Sequence, residues 1–314
     1  MMDVSVIIPV FNAERYLRET LESVLAQTHE AVEIIIVDNN STDGSKQVAR
    51  SFGTKLKLLD EPNAGATKAR VTGFAAASGD AFMFLDADDL LGPTALEQLV
   101  AVLLDCPAAI AACPWYRYEE IEGEWTVRPP SCAPRKWRQE ALSAWLEGWY
   151  HPPCSVLWSA NAYERSGGWD PECKSNQDGD VIMRALVAGV PLIRTSGGAA
   201  YYRRLPGEQV SLSARRFEPD ALAARIAVIE RIERLLVEQD RISSYRISLR
   251  KAFGRLAQDA GGHDDLHRRA MDGIRRNRPG PLHWMQDRAL RAVDRFTLLH
   301  DKPERAGTSP PPAR

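Results

Sequence analysis

Three acidic side chains, Asp86, Asp88 and Asp89, follow directly on the apolar run Ala81 to Leu85. A buried strand that ends this way delivers carboxylates to its own tip. In an open α/β sheet, ligands bind in the crevice at the carboxyl ends of the strands, so an Asp-x-Asp there can offer hard oxygen ligands to a divalent cation and the phosphates bound to it. A second acidic group lies about ninety residues on: Asp178, in Ser175-Asn176-Gln177-Asp178-Gly179-Asp180, just before the helical pattern Val181, Ile182, Ala185, Leu186. A carboxylate at a helix start is held rigidly, and the positive end of the helix dipole favours its ionised form, as a general base requires.

The elements that must position these groups are legible as periodic patterns. Val4 to Phe11 (VSVIIPVF) reads as a strand, followed by Asn12 as a helix cap and by Leu17, Leu21, Val24 and Leu25 on one helical face. Glu33 to Val37 is a second buried strand, ending in the turn-rich Asp38 to Gly44, and its helix carries Val48 and Phe52 and stops at Gly53. Lys55 to Leu59 gives a third strand, and Asn63-Ala64-Gly65 opens a helix bearing Ala69, Arg70, Gly73, Phe74 and Ala77. Four strands alternating with three helices predict a mostly parallel sheet wrapped by helices.

Four blocks, VSVIIPVFN (Val4 to Asn12), EIIIVDNNSTDG (Glu33 to Gly44), NAGATKARVTGFAAASGD (Asn63 to Asp80) and FLDADD (Phe84 to Asp89), together with GGWDPECKSNQDGDVIMRALVAG (Gly167 to Gly189), resemble the family 2 glycosyltransferases in order and spacing over roughly the first two thirds of the chain. The resemblance implies an α/β GT-A fold, Rossmann-like, with a carboxyl-terminal helical extension. It also implies an inverting transfer of one sugar, hexose-type, from a nucleotide-diphosphate sugar, a UDP-sugar by first choice, to a glycan or lipid-linked hydroxyl acceptor, as in polysaccharide biosynthesis. By the same resemblance Asp88 is the direct ligand of Mg²⁺ or Mn²⁺, Asp86 lies nearer the ribose, and Asp38 accepts a hydrogen bond from a pyrimidine ring N–H. Backbone groups of Pro9, Val10 and Phe11 line the nucleotide, and Asp178 is the base, with Asp180 supporting it. Arg70 is placed to reach the nucleobase or the diphosphate. Asp89 reads as a helix-capping or surface acid.

Three departures from the family pattern stand out. Gln177 replaces an acid before the base, Val71 follows the Ala-Arg pair where an asparagine is common, and Leu205 in Tyr202-Arg203-Arg204-Leu205 stands where some relatives have a metal-binding histidine. Arg203 and Arg204 are then candidate sources of positive charge for the phosphates. Trp169 and His151 are candidate acceptor-side residues, since sugar CH faces stack on indoles. Glu119 to Trp137 is expected to be a mobile loop over the donor. Processive synthases are disfavoured by the lack of a QxxRW block and of membrane-spanning runs, and the open alternatives are a nucleotidyltransferase and a non-catalytic sugar-nucleotide-binding module on a degenerate transferase fold.

The 314 residues are 44% hydrophobic and 26% charged, which suits globular domains and excludes disordered and collagen-like classes. Five cysteines without a CxxC indicate neither a disulfide framework nor a zinc site. No basic leader precedes the first strand, so a cytoplasmic chain is expected, and nothing suggests nucleic acid. Residues 1–214, read as the catalytic domain, hold 19 Lys and Arg against 28 Asp and Glu; residues 215–314 hold 21 against 14. The latter are read as a helical extension to residue 305, ending in a helix with Trp284, Leu290, Val293 and Phe296, and a disordered tail over 306–314. Its arginines either pair with the acidic catalytic region or make a peripheral membrane contact.

Overall fold

The computed structural model describes residues 2–31, 33–129, 140–205 and 215–281. The first half is the expected β/α alternation: β1 (Val4–Val10), α1 (Leu17–Leu25), β2 (Glu33–Asp38), α2 (Ser45–Arg50), β3 (Lys57–Asp60), α3 (Ala66–Ala75) and β4 (Ala81–Phe84). Then come β5 (Leu90–Leu91), α4 (Ala95–Asp105), β6 (Ile110–Ala112), the hairpin β7 (Trp115–Ile121) and β8 (Glu124–Arg128), α5 (Ala141–Leu146), β9 (Val156–Ser159), α6 (Ala160–Ser166), α7 (Gln177–Val187), β10 (Leu192–Arg194) and β11 (Ala200–Arg204). Three helices follow: α8 (Pro219–Glu238), α9 (Ile242–Asp259) and α10 (Asp264–Arg276).

The main sheet runs β10-β6-β9-β4-β1-β2-β3, and a smaller one runs β5-β11-β7-β8. In the main sheet only β9 is antiparallel to its neighbours, β4 and β6. Period-two alternation along β1 and β2 splits the core into two layers: Ile7, Ile35 and Val37 face one, while Val6, Ile8, Ile34 and Ile36 face the other with Leu17 and Leu21 of α1. Pro9 is tolerated inside β1 because Ile7 O, on the β4 side, already receives Leu85 N, and the β1–β4 pairing ends at Ile7 and Phe84. The missing N–H of Pro9 points past the end of that pairing.

The helical extension is continuous with the first of these layers. Leu222, Ile226, Ile229 and Ile232 of α8 and Leu249, Phe253 and Leu256 of α9 are buried in the same cluster as Phe84, Trp158 and Val181. Gly273 of α10 lies so close to Phe253 that a Cβ would stand 2.5 Å from its ring. Arginines of the extension are spent on packing: Arg231 pairs with Asp170 and Asp180, Arg255 donates to Leu146 O, and Arg241 donates to Val187 O. Among the described residues no helix is long and apolar enough to cross a membrane.

Several local expectations are corrected. Asn12 does not cap α1, which begins at Leu17; it adopts φ 49°, and its Oδ1 accepts the Thr42 N–H at 2.8 Å, tying the end of β1 to the loop after β2. Leu25, expected on the apolar face, is 40% exposed. The segment expected as a loop over the donor is a β-hairpin as far as Arg128, with residues 130–139 outside the described residues. The helix bearing Trp284 and the tail over 306–314 also lie outside them.

Candidate functional site

The carboxyl edge of the main sheet carries the predicted acids. Asp38 ends β2 beside Val10 of β1 and is 1% exposed. Its Oδ2 accepts from Ser41 N (3.2 Å) and from Lys46 Nζ (3.2 Å), and Lys46 reaches on to Asp60 at 2.6 Å. Oδ1 of Asp38 is buried and has no hydrogen-bond partner among the described residues, which leaves an acceptor at the strand tip. Beside it Pro9 and Val10 are buried, Val10 O receives Asn39 N at 2.7 Å, and the Phe11 side chain is 63% exposed.

Past β4 the chain turns through Asp86 to Asp89. Asp86 and Asp88 are half-buried, and burial together with the charge of Asp86 pushes the Asp88 carboxyl up to about 6. Asp89 is neither a helix cap nor a surface acid: it is 0% exposed, precedes β5 rather than a helix, and its Oδ1 accepts the Arg203 N–H at 2.8 Å. A buried polar ladder from α1 and the turn just after it holds the same turn from below. Thr20 Oγ1 donates to Ala87 O (2.9 Å), Ser23 Oγ accepts Leu91 N (3.1 Å), and Gln27 donates to Gly92 O (2.9 Å) and accepts Leu96 N (3.0 Å). Sequence reasoning missed this ladder, although three polar residues at i, i+3 and i+7 on the apolar side of an amphipathic helix are its signal.

Asp178 is half-buried in the first turn of α7, where burial raises its pKa and the nearby Arg70 opposes the rise. The turn before it is tight: Asn176 has φ 57°, and a Cβ at Gly179 would stand 2.2 Å from Asn176 Oδ1, so any side chain there would have to displace the Asn176 amide. Asp180 points elsewhere, 1% exposed and bound by Arg184 (2.9 Å) and Arg231 (3.2 Å), which anchors α7 to α8. Arg70 joins the two acidic elements. Its Nη2 donates to Asp86 at 2.6 Å, its Nη1 donates to Gln177 at 3.2 Å, and its guanidinium lies 4.6 Å from the centre of the Trp169 ring.

The remaining candidates divide. Trp169 is 6% exposed, with one face under Arg70 and its ring edge-on to Phe84, so in this structure it is a floor for Arg70 rather than an open stacking surface. His151 is 5% exposed, shares a 3.0 Å hydrogen bond with Ser155 Oγ, and is pushed down to about 3 by burial, which makes it a neutral core group. The structure does not bring Arg203 to the acids with its side chain. Its guanidinium pairs with Glu19 at 2.8 Å and lies over the rings of Tyr16, Trp125 and Tyr118 at 4.7, 5.0 and 5.4 Å. Arg204, next along β11, lies 4.9 Å from the Tyr202 ring centre instead.

Residues 5–158 match the family model described as glycosyl transferase family 2. They form a family 2 glycosyltransferase domain. Curated relatives agree: an uncharacterised glycosyltransferase of Nostoc sp. is 36% identical over 172 residues, covering 52% of this chain and 51% of the relative. Glycosyltransferase GlyA of Streptococcus pneumoniae is 35% identical over 123 residues, covering 38% of this chain and 18% of the relative. The chain thus spans well under two thirds of the length of the curated relatives it matches. Among solved structures, S. aureus TarS 1–349 in complex with UDP-GlcNAc superposes with a TM-score of 0.59 at 16% identity, covering 88% of this chain and 90% of that one. The mannosyltransferase PcManGT of Pyrobaculum calidifontis, in complex with GDP-Man and Mn²⁺, gives 0.55 at 19% identity, covering 96% and 90%. The fold of the family 2 transferase is therefore GT-A, as the sequence blocks implied.

Proposed function

We propose that the protein transfers one sugar from a nucleoside diphosphate sugar, a UDP-sugar by first choice, to a hydroxyl acceptor with inversion at the anomeric carbon and with a divalent cation bound at Asp88. The observation that carries this reading is the Arg70 bridge, which holds the acidic turn after β4 and the base-bearing start of α7 in one crevice. Asp38, with Oδ1 unpartnered, suits a base that presents a ring N–H, as uracil and guanine do and cytosine and adenine do not.

The residues fit a divalent cation. Burial and the neighbouring charge of Asp86 both raise the Asp88 pKa, and a cation between the two carboxylates would offset both effects. Among the described residues no group of three or more His, Cys, Asp or Glu converges on one point, so the protein supplies few ligands and the diphosphate and water supply the others, the usual habit of Mg²⁺. When bound, the ion would neutralise charge on the departing diphosphate.

The chain's own part is positional and basic. Asp178 takes the acceptor hydroxyl proton on a carboxylate oxygen as the acceptor oxygen bonds to the anomeric carbon and the bond to the diphosphate breaks, and this single displacement inverts the centre. Burial raises the Asp178 pKa, and the charge of Arg70 opposes that rise and so favours the ionised form. Gln177 meets Arg70 as a neutral acceptor and so does not draw its charge away from Asp86 and Asp178. The acceptor is a glycan or a lipid-linked glycan, and a cytoplasmic protein in peripheral membrane contact fits the latter. The test is a donor panel assayed by nucleoside diphosphate release with and without Mn²⁺: Mn²⁺-stimulated release from a UDP-sugar is expected, and no release from any UDP- or GDP-sugar would end the reading.

A further inference from the structure

Tyr202 takes no part in the account so far, yet it stands among the site's charges. It lies on β11, in register with Arg117 of β7, one residue from the buried Arg203 and therefore on the opposite face of the strand. Its ring is fixed on two sides, edge-on to Trp115 at 6.2 Å and under the Arg204 guanidinium at 4.9 Å. The side chain is half-buried, and its hydroxyl has no hydrogen-bond partner among the described residues. Burial, with Asp89, Asp86 and Asp178 around it and Arg204 in opposition, pushes the phenol well above its ordinary value. It therefore keeps its proton and can only donate to an anion. Arg204 likewise makes no ion pair among the described residues.

A neutral O–H donor and an uncommitted cation, held together on a rigid strand next to the acidic turn, are suited to a polyanion that arrives with its own divalent cation. We infer that Tyr202, backed by Arg204, is a further diphosphate-binding residue, donating its hydroxyl hydrogen to a phosphate oxygen of the departing nucleoside diphosphate. The ring contacts fix the donor's position before substrate arrives, so the bond strengthens as charge builds on the leaving group without any reorganisation. Leu205, the next residue, has an apolar side chain that can neither ligate a metal nor donate to a phosphate.

This inference rests on the reading of the crevice as a nucleoside diphosphate sugar site. Tyr202→Phe removes only the hydroxyl and leaves both ring contacts. Calorimetry in Mn²⁺ on the full chain should show UDP bound roughly 10- to 100-fold more weakly, the span for a hydrogen bond to a charged group, while uridine, measured by displacement, binds as before. Donor hydrolysis without acceptor should slow by a similar factor. Arg204→Gln should also weaken UDP relative to uridine. Unchanged UDP affinity in Tyr202→Phe, or equal weakening of UDP and uridine, would overturn the inference and leave the transferase reading standing. A wild-type protein that binds neither UDP nor GDP would overturn both.

Discussion

Arg70→Met should cost both stability and turnover, and the size of the stability loss can be worked from its three contacts. The 2.6 Å bond to Asp86 is charge-assisted, but the Asp86 side chain is 29% exposed, so screening leaves about 1–2 kcal/mol. The 3.2 Å bond to Gln177 adds about 1 kcal/mol. Stacking over Trp169 at 4.6 Å, shielded from water, adds about 1 kcal/mol. Methionine fills most of the arginine stem, so little cavity cost follows, and the loss should total about 3–4 kcal/mol, or a fall in Tm of roughly 5–6 °C for a chain of this length. Arg70→Lys keeps the charge but cannot grip two partners at once and should recover only part of this. Differential scanning calorimetry reads the stability, and nucleoside diphosphate release reads the turnover. A Tm within about 2 °C of wild type, or undiminished turnover in Arg70→Met, would show that the bridge between the acidic turn and α7 does not organise the site.

Asp178→Asn should lower turnover by roughly 10²- to 10⁴-fold with donor affinity nearly unchanged. Because burial raises the pKa of Asp178, its ionised form destabilises the fold increasingly as pH rises through that pKa; the Asn variant should therefore melt higher than wild type near neutrality, and the gain should vanish in acid. By the same shift the acid limb of the wild-type kcat/KM profile should lie above the ordinary carboxylate range. Product stereochemistry followed by NMR should show inversion, and a retained configuration would exclude single displacement. Gly73→Ala should destabilise by about 1–3 kcal/mol in denaturant melts, because its Cβ would stand 2.4 Å from Ile7 Cγ2 and 3.1 Å from Val37 Cγ2 across the α3–sheet contact.

What was legible in the sequence was what is periodic or local. Strands β1, β2 and β4 are strand-length, mostly apolar runs, and the acids at the tips of β2 and β4 follow from chain order alone. The side chains that mattered and were misplaced depend on partners far along the chain. Arg203 meets Glu19 across 184 positions and delivers its N–H to Asp89 across 114, so neither the burial of the arginine nor that of the aspartate has a local signature. Arginine is ordinarily a surface residue, and here an aromatic box of Tyr16, Tyr118 and Trp125 buries Arg203 instead. The hairpin β7–β8 was hidden by its charged and proline-flanked composition, since β8 is an edge strand and neither strand buries much on either face.

The central claim, that the acidic turn after β4 binds a nucleotide sugar through a divalent cation, is tested most directly by titrating UDP into wild type and Asp88→Asn with and without Mn²⁺. Wild type should bind UDP far more tightly with Mn²⁺ than without it, and Asp88→Asn should lose that metal dependence while melting no lower than wild type near neutrality, because the burial that raises the Asp88 pKa makes its ionised form a cost to the fold. Equal, Mn²⁺-dependent UDP affinity in the two proteins would contradict the account.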